Sequence, residues 1–153
     1  MSDPSAMTLG HFQALSEQSL LSKKRVFERA AEAMGGALNL SSETIYRALL
    51  AREKLGSTAI GEGIAIPHCR INECAEAARC LLTLREPIDF GSTDGGDVDV
   101  IFVLLVPEEA TQAHLNLLAA LARTFSNADL RNRVRQTLDP EELRQLLLNG
   151  EAT

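Results

Sequence analysis

The strongest pattern in the chain is the run VDVIFVLLV over residues 98–106, nearly all apolar from Val100 onward. Such a run predicts a central strand covered on both faces, and Pro107 ends it. Behind it, His114, Leu117, Leu118, Leu121 and Phe125 recur at i, i+3, i+4, i+7 and i+11, which predicts a long helix over residues 108–125. In the first half, Val26, Ala30 and Met34 recur at i, i+4 and i+8, with Phe27 and Ala31 beside them. This predicts a helix from Lys23 that Gly35-Gly36 stops. Ser41 or Ser42 caps a second helix with Glu43 in its first turn and Ile45, Ala48 and Leu49 on its apolar side. It ends near residues 52–56. Residues 64–66, 80–84 and 88–90 read as short extended segments, the last followed by a turn-rich stretch over 91–97. Asn127 caps a further helix, and Asp139-Pro140 caps the last, with Leu143, Leu146 and Leu147 facing inward. Residues 1–21 show no clear period, so the chain divides into that segment and a domain over residues 22–150. Helices before, between and after strands predict one α/β sandwich.

Composition narrows the class. With 153 residues, 45% of them hydrophobic, the chain can bury a real core. Its net charge of −6, without a basic stripe or an aromatic platform, argues against nucleic acid as a primary partner. No apolar run reaches membrane-spanning length. The polar start MSDPSAMTLG is unlike a secretory signal; an expression scar, with Met7 as a second start, is one reading of it. The three cysteines, Cys69, Cys74 and Cys80, are odd in number and lack the paired spacing of structural zinc sites. That favours a reducing cytoplasm and no metal.

The chemistry concentrates in residues 56–68, GSTAIGEGIAIPH. Glycines let backbone N–H groups approach an anion, Ser57 and Thr58 add hydroxyl donors, and Pro67 presents His68. A histidine at the end of such a loop can be a nucleophile toward phosphorus. Gly56 and Gly61 have the spacing of a nucleotide-phosphate loop, but Glu62 stands where that loop needs lysine. Arg52, just before the loop, reads equally as a solvated helix-end charge and as an anion clamp. His114 heads a buried stripe, where a histidine is more often a satisfied core residue than a site residue. His11 falls in the unpatterned segment.

The segment REKLGSTAIGEGIAIPHCR at 52–70 resembles the active-site signature of the enzyme IIA proteins of the bacterial phosphoenolpyruvate-dependent phosphotransferase system, mannitol/fructose class. Residues 22–34 and 85–126 agree with it, and LLVPEEATQAHL at 104–115 is most similar to the nitrogen-regulatory branch. The resemblance covers residues 22 to 149 and stops short of residues 1–21. It implies a mixed sheet flanked by helices on both sides. It also implies that His68 accepts phosphate on Nε2, that Arg52 neighbours the phosphoryl group, and that His114 is a second active-site histidine. Ser57, Thr58, Gly61 and Gly63 form the loop beside them. The implied donor is a histidine-phosphorylated carrier protein (HPr or its nitrogen-type counterpart). The implied acceptors are regulatory targets or the cysteine of an enzyme IIB.

Phosphoryl transfer of this kind needs alignment and charge stabilisation, with no metal or nucleotide cofactor. It also needs an acceptor for the Nδ1–H of His68, a role a backbone carbonyl suits, so that Nε2 keeps its lone pair. Three readings follow: a nitrogen-type phosphoryl carrier and regulator, a sugar-specific enzyme IIA, and an interaction domain that has lost phosphorylation. Intact His68, Arg52 and His114 argue against the third.

Overall fold

The computed structural model describes residues 11–72, 74, 76–109 and 112–152, the side chains at 113, 114 and 150–152 excepted. The sheet is built around β6 (Val98–Pro107). On one side β6 pairs antiparallel with β5 (Ala78–Ile88), Cys80 opposite Val103, and β5 pairs parallel with β1 (His11–Gln18). The other edge of β6 carries two short parallel strands in succession, β3 (Ile64–Ala65) and then β4 (His68–Ile71). Strand β2 (Ala59–Gly61) folds back antiparallel on β3. Among the described residues the sheet therefore has six strands and is mixed.

Five helices cover it among the described residues: α1 (Lys23–Leu38), α2 (Ser42–Lys54), α3 (Gln112–Phe125), α4 (Ala128–Gln136) and α5 (Pro140–Ala152). Side-chain alternation along β6 divides the core in two. Ile101, Val103 and Leu105 pack with Phe27, Met34, Ile45 and Leu49 of α1 and α2. Phe102, Leu104 and Val106 pack with Leu121 and Phe125 of α3, Val134 of α4 and Leu143 of α5. This is why residues 98–106 lack polar alternation: both faces are buried under helices. Fully burying each such side chain contributes about 1.5–3 kcal/mol.

The caps follow the sequence closely. Ser41 Oγ accepts the Thr44 N–H, Asn127 Oδ1 the Leu130 N–H, and Asp139 Oδ2 the Glu142 N–H. Elsewhere four expectations need correction. Residues 11–18 are the edge strand β1, whose Phe12 and Ala14 alternate into the α3-side core; residues 1–10, with Met7, lie outside the described residues. Gly35-Gly36 does not stop α1, which runs on until Asn39 turns it with φ +57°. Gly35 serves a close approach instead, since a Cβ there would stand 2.9 Å from the Leu40 carbonyl oxygen. Ile88 closes β5 rather than opening a strand at 88–90. Helix α3 begins at Gln112, not at 108.

Candidate functional site

Helix α2 delivers the chain to the site. Ile45 and Leu49 lie on its buried stripe, and Glu53 continues that stripe at i+8, turned inward although charged. Its carboxylate pairs with Lys23 Nζ at 2.8 Å and accepts the Thr58 hydroxyl at 2.7 Å and the Thr58 N–H at 3.2 Å. Arg52, one residue earlier, is only half-buried. Its Nη1 donates to the Gly56 carbonyl at 3.0 Å, which holds the guanidinium at the helix end.

The chain then makes the β2–β3 hairpin and reaches His68 through Ile66-Pro67. Ile66 is fixed by its N–H, which donates to the Thr58 carbonyl at 3.0 Å. The Pro67 carbonyl accepts the Leu104 N–H at 2.9 Å, anchoring the segment to β6. His68 opens β4 opposite Leu104. Its Nδ1 lies 2.8 Å from the Ile66 carbonyl oxygen. A carbonyl only accepts, so Nδ1 carries the hydrogen and Nε2 of the neutral imidazole carries the lone pair.

His68 and Arg52 line one groove of about 550 Å³ at the free edge of β4, between α2 and α3. Apolar side chains form most of its wall: Ala48, Leu55, Leu104, Leu115 and Leu118. Leu55 and Leu115 are exposed at its rim. Cys69, which alternates toward the α1/α2-side core, borders the groove, and burial, with a smaller contribution from Cys74, pushes its thiol up to about 12. Near neutral pH it therefore stands as the neutral thiol and not as a thiolate nucleophile.

Of the residues read from sequence, the structure brings Arg52 and His68 together. Leu115, next to His114 in sequence, lines the same groove, while the side chain of His114 itself lies outside the described residues. The four loop residues have other engagements. Thr58 is buried and its hydroxyl is held by Glu53. Ser57 Oγ donates to the Phe90 carbonyl at 2.8 Å and accepts the Ala59 N–H at 3.2 Å. Gly61 and Gly63 lie at the turn of the β2–β3 hairpin, with φ +98° and +79°. The Gly63 carbonyl accepts the N–H groups of Asp99 and Val100, and Val100 is four residues from Leu104 along β6, about 13 Å at strand spacing. A Cβ at Gly63 would stand 2.5 Å from Arg135 Nη2. Gly63 thus shapes a turn against Arg135, four residues along β6 from the position His68 faces.

Two residues at the site were missed from sequence. Glu53 had a signal in its i, i+4, i+8 relation to Ile45 and Leu49. Arg70 lines the groove two residues after His68, on the same side of β4 by strand alternation. It adds a second guanidinium to Arg52.

Comparison with known proteins supplies the context for this geometry. A family model described as "Phosphoenolpyruvate-dependent sugar phosphotransferase system, EIIA 2" matches residues 12–150. The chain is 46% identical over 129 residues to a nitrogen regulatory protein of Pseudomonas aeruginosa, covering 84% of each. It superposes on the crystal structure of nitrogen regulatory protein IIA-Ntr from Neisseria meningitidis with a TM-score of 0.83 at 41% identity, covering 90% of this chain and 92% of that one. It shares a fold, with a TM-score of 0.72 at 18% identity, with enzyme IIA mannitol of Escherichia coli, solved in complex with phosphorylated enzyme IIB mannitol; the match covers 91% of this chain and 93% of that one.

Proposed function

Since this chain belongs to the EIIA 2 family of the phosphoenolpyruvate-dependent sugar phosphotransferase system, we propose that it is a phosphoryl carrier that accepts phosphate on Nε2 of His68 and acts as a nitrogen-type regulator. The observation that carries the reading is the 2.8 Å contact between His68 Nδ1 and the Ile66 carbonyl, which presents a lone pair on Nε2. Similarity to nitrogen regulatory proteins at 46% and 41% identity supports the regulatory branch.

The donor is a histidine-phosphorylated carrier protein. Its N–P bond breaks and the electron pair returns to the donor imidazole as the Nε2–P bond forms on His68. His68 keeps its Nδ1–H on Ile66 throughout. Transfer through a loose transition state asks the protein for alignment and charge stabilisation. Arg52 supplies a guanidinium across the groove, and His114, in the first turn of α3, is assigned a further contact to the phosphoryl group. A charge-assisted contact of this kind is worth about 1.5–3 kcal/mol. The apolar rim gives a partner a small surface to dock on and leave. No step requires a metal or a nucleotide. The proposed location is the cytoplasm, where such carriers would meet it.

A second reading is a sugar-type enzyme IIA that hands the group to an enzyme IIB cysteine. The shared fold with the mannitol enzyme, solved with its phosphorylated IIB partner, favours it. Transfer of label from the phosphorylated protein to purified IIB domains separates the two readings: efficient transfer supports the transport role, and its absence, with phosphorylation-dependent binding of a regulatory target, supports the regulatory one.

A further inference from the structure

We propose that Glu53 is the positioning residue of this site, its buried carboxylate fixing the tautomer of His68 through Thr58 and Ile66. The inference rests on the reading of His68 Nε2 as the phosphoryl acceptor. The Glu53 side chain is only 4% exposed. A carboxylate that deep is tolerated when donors fill its oxygens. Here Oε2 takes Lys23 Nζ at 2.8 Å and the Thr58 N–H at 3.2 Å, and Oε1 takes the Thr58 hydroxyl at 2.7 Å. Lys23 is in turn held over the Phe90 ring, 4.7 Å from its centroid. The carboxylate thus grips both the backbone and the side chain of one loop residue.

Thr58 passes that order on. Its carbonyl accepts the Ile66 N–H at 3.0 Å, and the Ile66 carbonyl accepts the His68 Nδ1–H at 2.8 Å. Pro67 stiffens the link between Ile66 and His68 because its φ is locked. A relay of three hydrogen-bonded links therefore runs from the end of α2 to the imidazole. The same residue adjoins Arg52 in sequence. Glu53 in this way sets both partners of the groove, Arg52 by covalent adjacency and His68 by the relay. The tautomer of a histidine is decided by the partner of its other nitrogen. Loosening Thr58 frees the Ile66 carbonyl to move and lets Nε2–H compete, which removes the nucleophile.

The test uses imidazole ¹⁵N spectra of the whole protein at a pH where His68 is neutral, with backbone amide spectra to establish folding. Wild type, Glu53→Gln, Thr58→Val and Thr58→Ser are compared. Thr58→Val removes the hydroxyl donor and leaves the Lys23–Glu53 pair in place; Thr58→Ser restores the donor. We expect one Nδ1–H tautomer in wild type and Thr58→Ser, and a mixture in Glu53→Gln and Thr58→Val. Phosphoryl transfer from a phosphorylated carrier should fall about 10- to 100-fold in kcat in those two variants, with KM for the carrier unchanged. Folded Glu53→Gln and Thr58→Val proteins with the wild-type tautomer would overturn the relay. Should Glu53→Gln fail to fold, Thr58→Val against Thr58→Ser decides. The tautomer readout needs no phosphate, so a wild-type protein that takes none at His68 would refute the phosphoryl-acceptor reading while the spectra still decide the relay.

Discussion

Nδ1 of His68 lies 2.8 Å from the carbonyl oxygen of Ile66, two residues back along the chain. Pro67 between them makes the geometry local: it stiffens the backbone and leaves Ile66 extended. The consequence is chemical, because the hydrogen is parked on Nδ1 and the lone pair on Nε2. The groove that Nε2 serves also holds Arg52.

Arg52→Ala should slow phosphoryl transfer to His68 by roughly 10- to 150-fold, the kinetic equivalent of one charge-assisted contact. Arg52→Lys should recover part of the rate, since the charge returns without the planar fork. The measurement is single-turnover transfer from the phosphorylated carrier. Wild-type rates in Arg52→Ala would remove that residue from the site.

Gly63→Ala separates scaffold from chemistry. At φ +79° and with Arg135 Nη2 2.5 Å from the new Cβ, the substitution should lower stability by about 1–3 kcal/mol. Transfer per folded molecule should stay near wild type, because the hairpin turn lies far along β6 from His68. Thermal melts and transfer rates on the same samples check both parts. Lost transfer with preserved stability would put Gly63 back beside the phosphoryl group.

The buried thiols set an alkaline limit. Burial pushes Cys69 and Cys80 from 9.0 up to about 12. Between those values the unfolded chain ionises these cysteines and the folded one does not. Their contribution is therefore intact below pH 9.0 and declines as pH rises toward about 12. Denaturant melts should show a smaller loss of stability over that window in Cys80→Ala than in wild type, each relative to its own value at pH 8. Identical pH dependence would contradict the assignment. Iodoacetamide should also modify Cys69 far more slowly in the folded protein than in the unfolded chain at pH 8.

Phosphorylation should switch partner binding by local charge and not by refolding. Nearly two negative charges on Nε2 would turn an apolar groove anionic, with Arg52 absorbing part of the change. A regulatory target that docks on this rim should discriminate among the unmodified protein, the phosphorylated protein and His68→Glu. Equal affinity of every target for all three would shift the balance toward the sugar-transport reading.

What could be read in advance was what local pattern controls. The two-faced burial of β6, the stripe of α3 and the caps at Ser41, Asn127 and Asp139 are written within a few residues of where they act. Strand β1 was not legible because only Phe12 and Ala14 alternate inward before the pattern lapses, and an edge strand needs β5 to define it. Gly35-Gly36 misled because the helix needs the glycine for the approach of Leu40, a contact no helical period encodes. At the site, the order Arg52, loop, Pro67, His68 was legible as bringing toward one another two side chains that the structure places in one groove. The occupations of Ser57 and Thr58 were not, since their partners, Phe90 and Glu53, are set by tertiary packing. Glu53 was the readable miss: it stands on the Ile45–Leu49 stripe, where a carboxylate must have partners.

The central claim is that His68 is the phosphoryl acceptor. Wild type and His68→Ala are incubated with labelled phosphoenolpyruvate, enzyme I and the carrier protein. The account predicts acid-labile label on wild type, located at His68 Nε2, and none on the folded alanine variant. Label on His68→Ala at the wild-type level would contradict it.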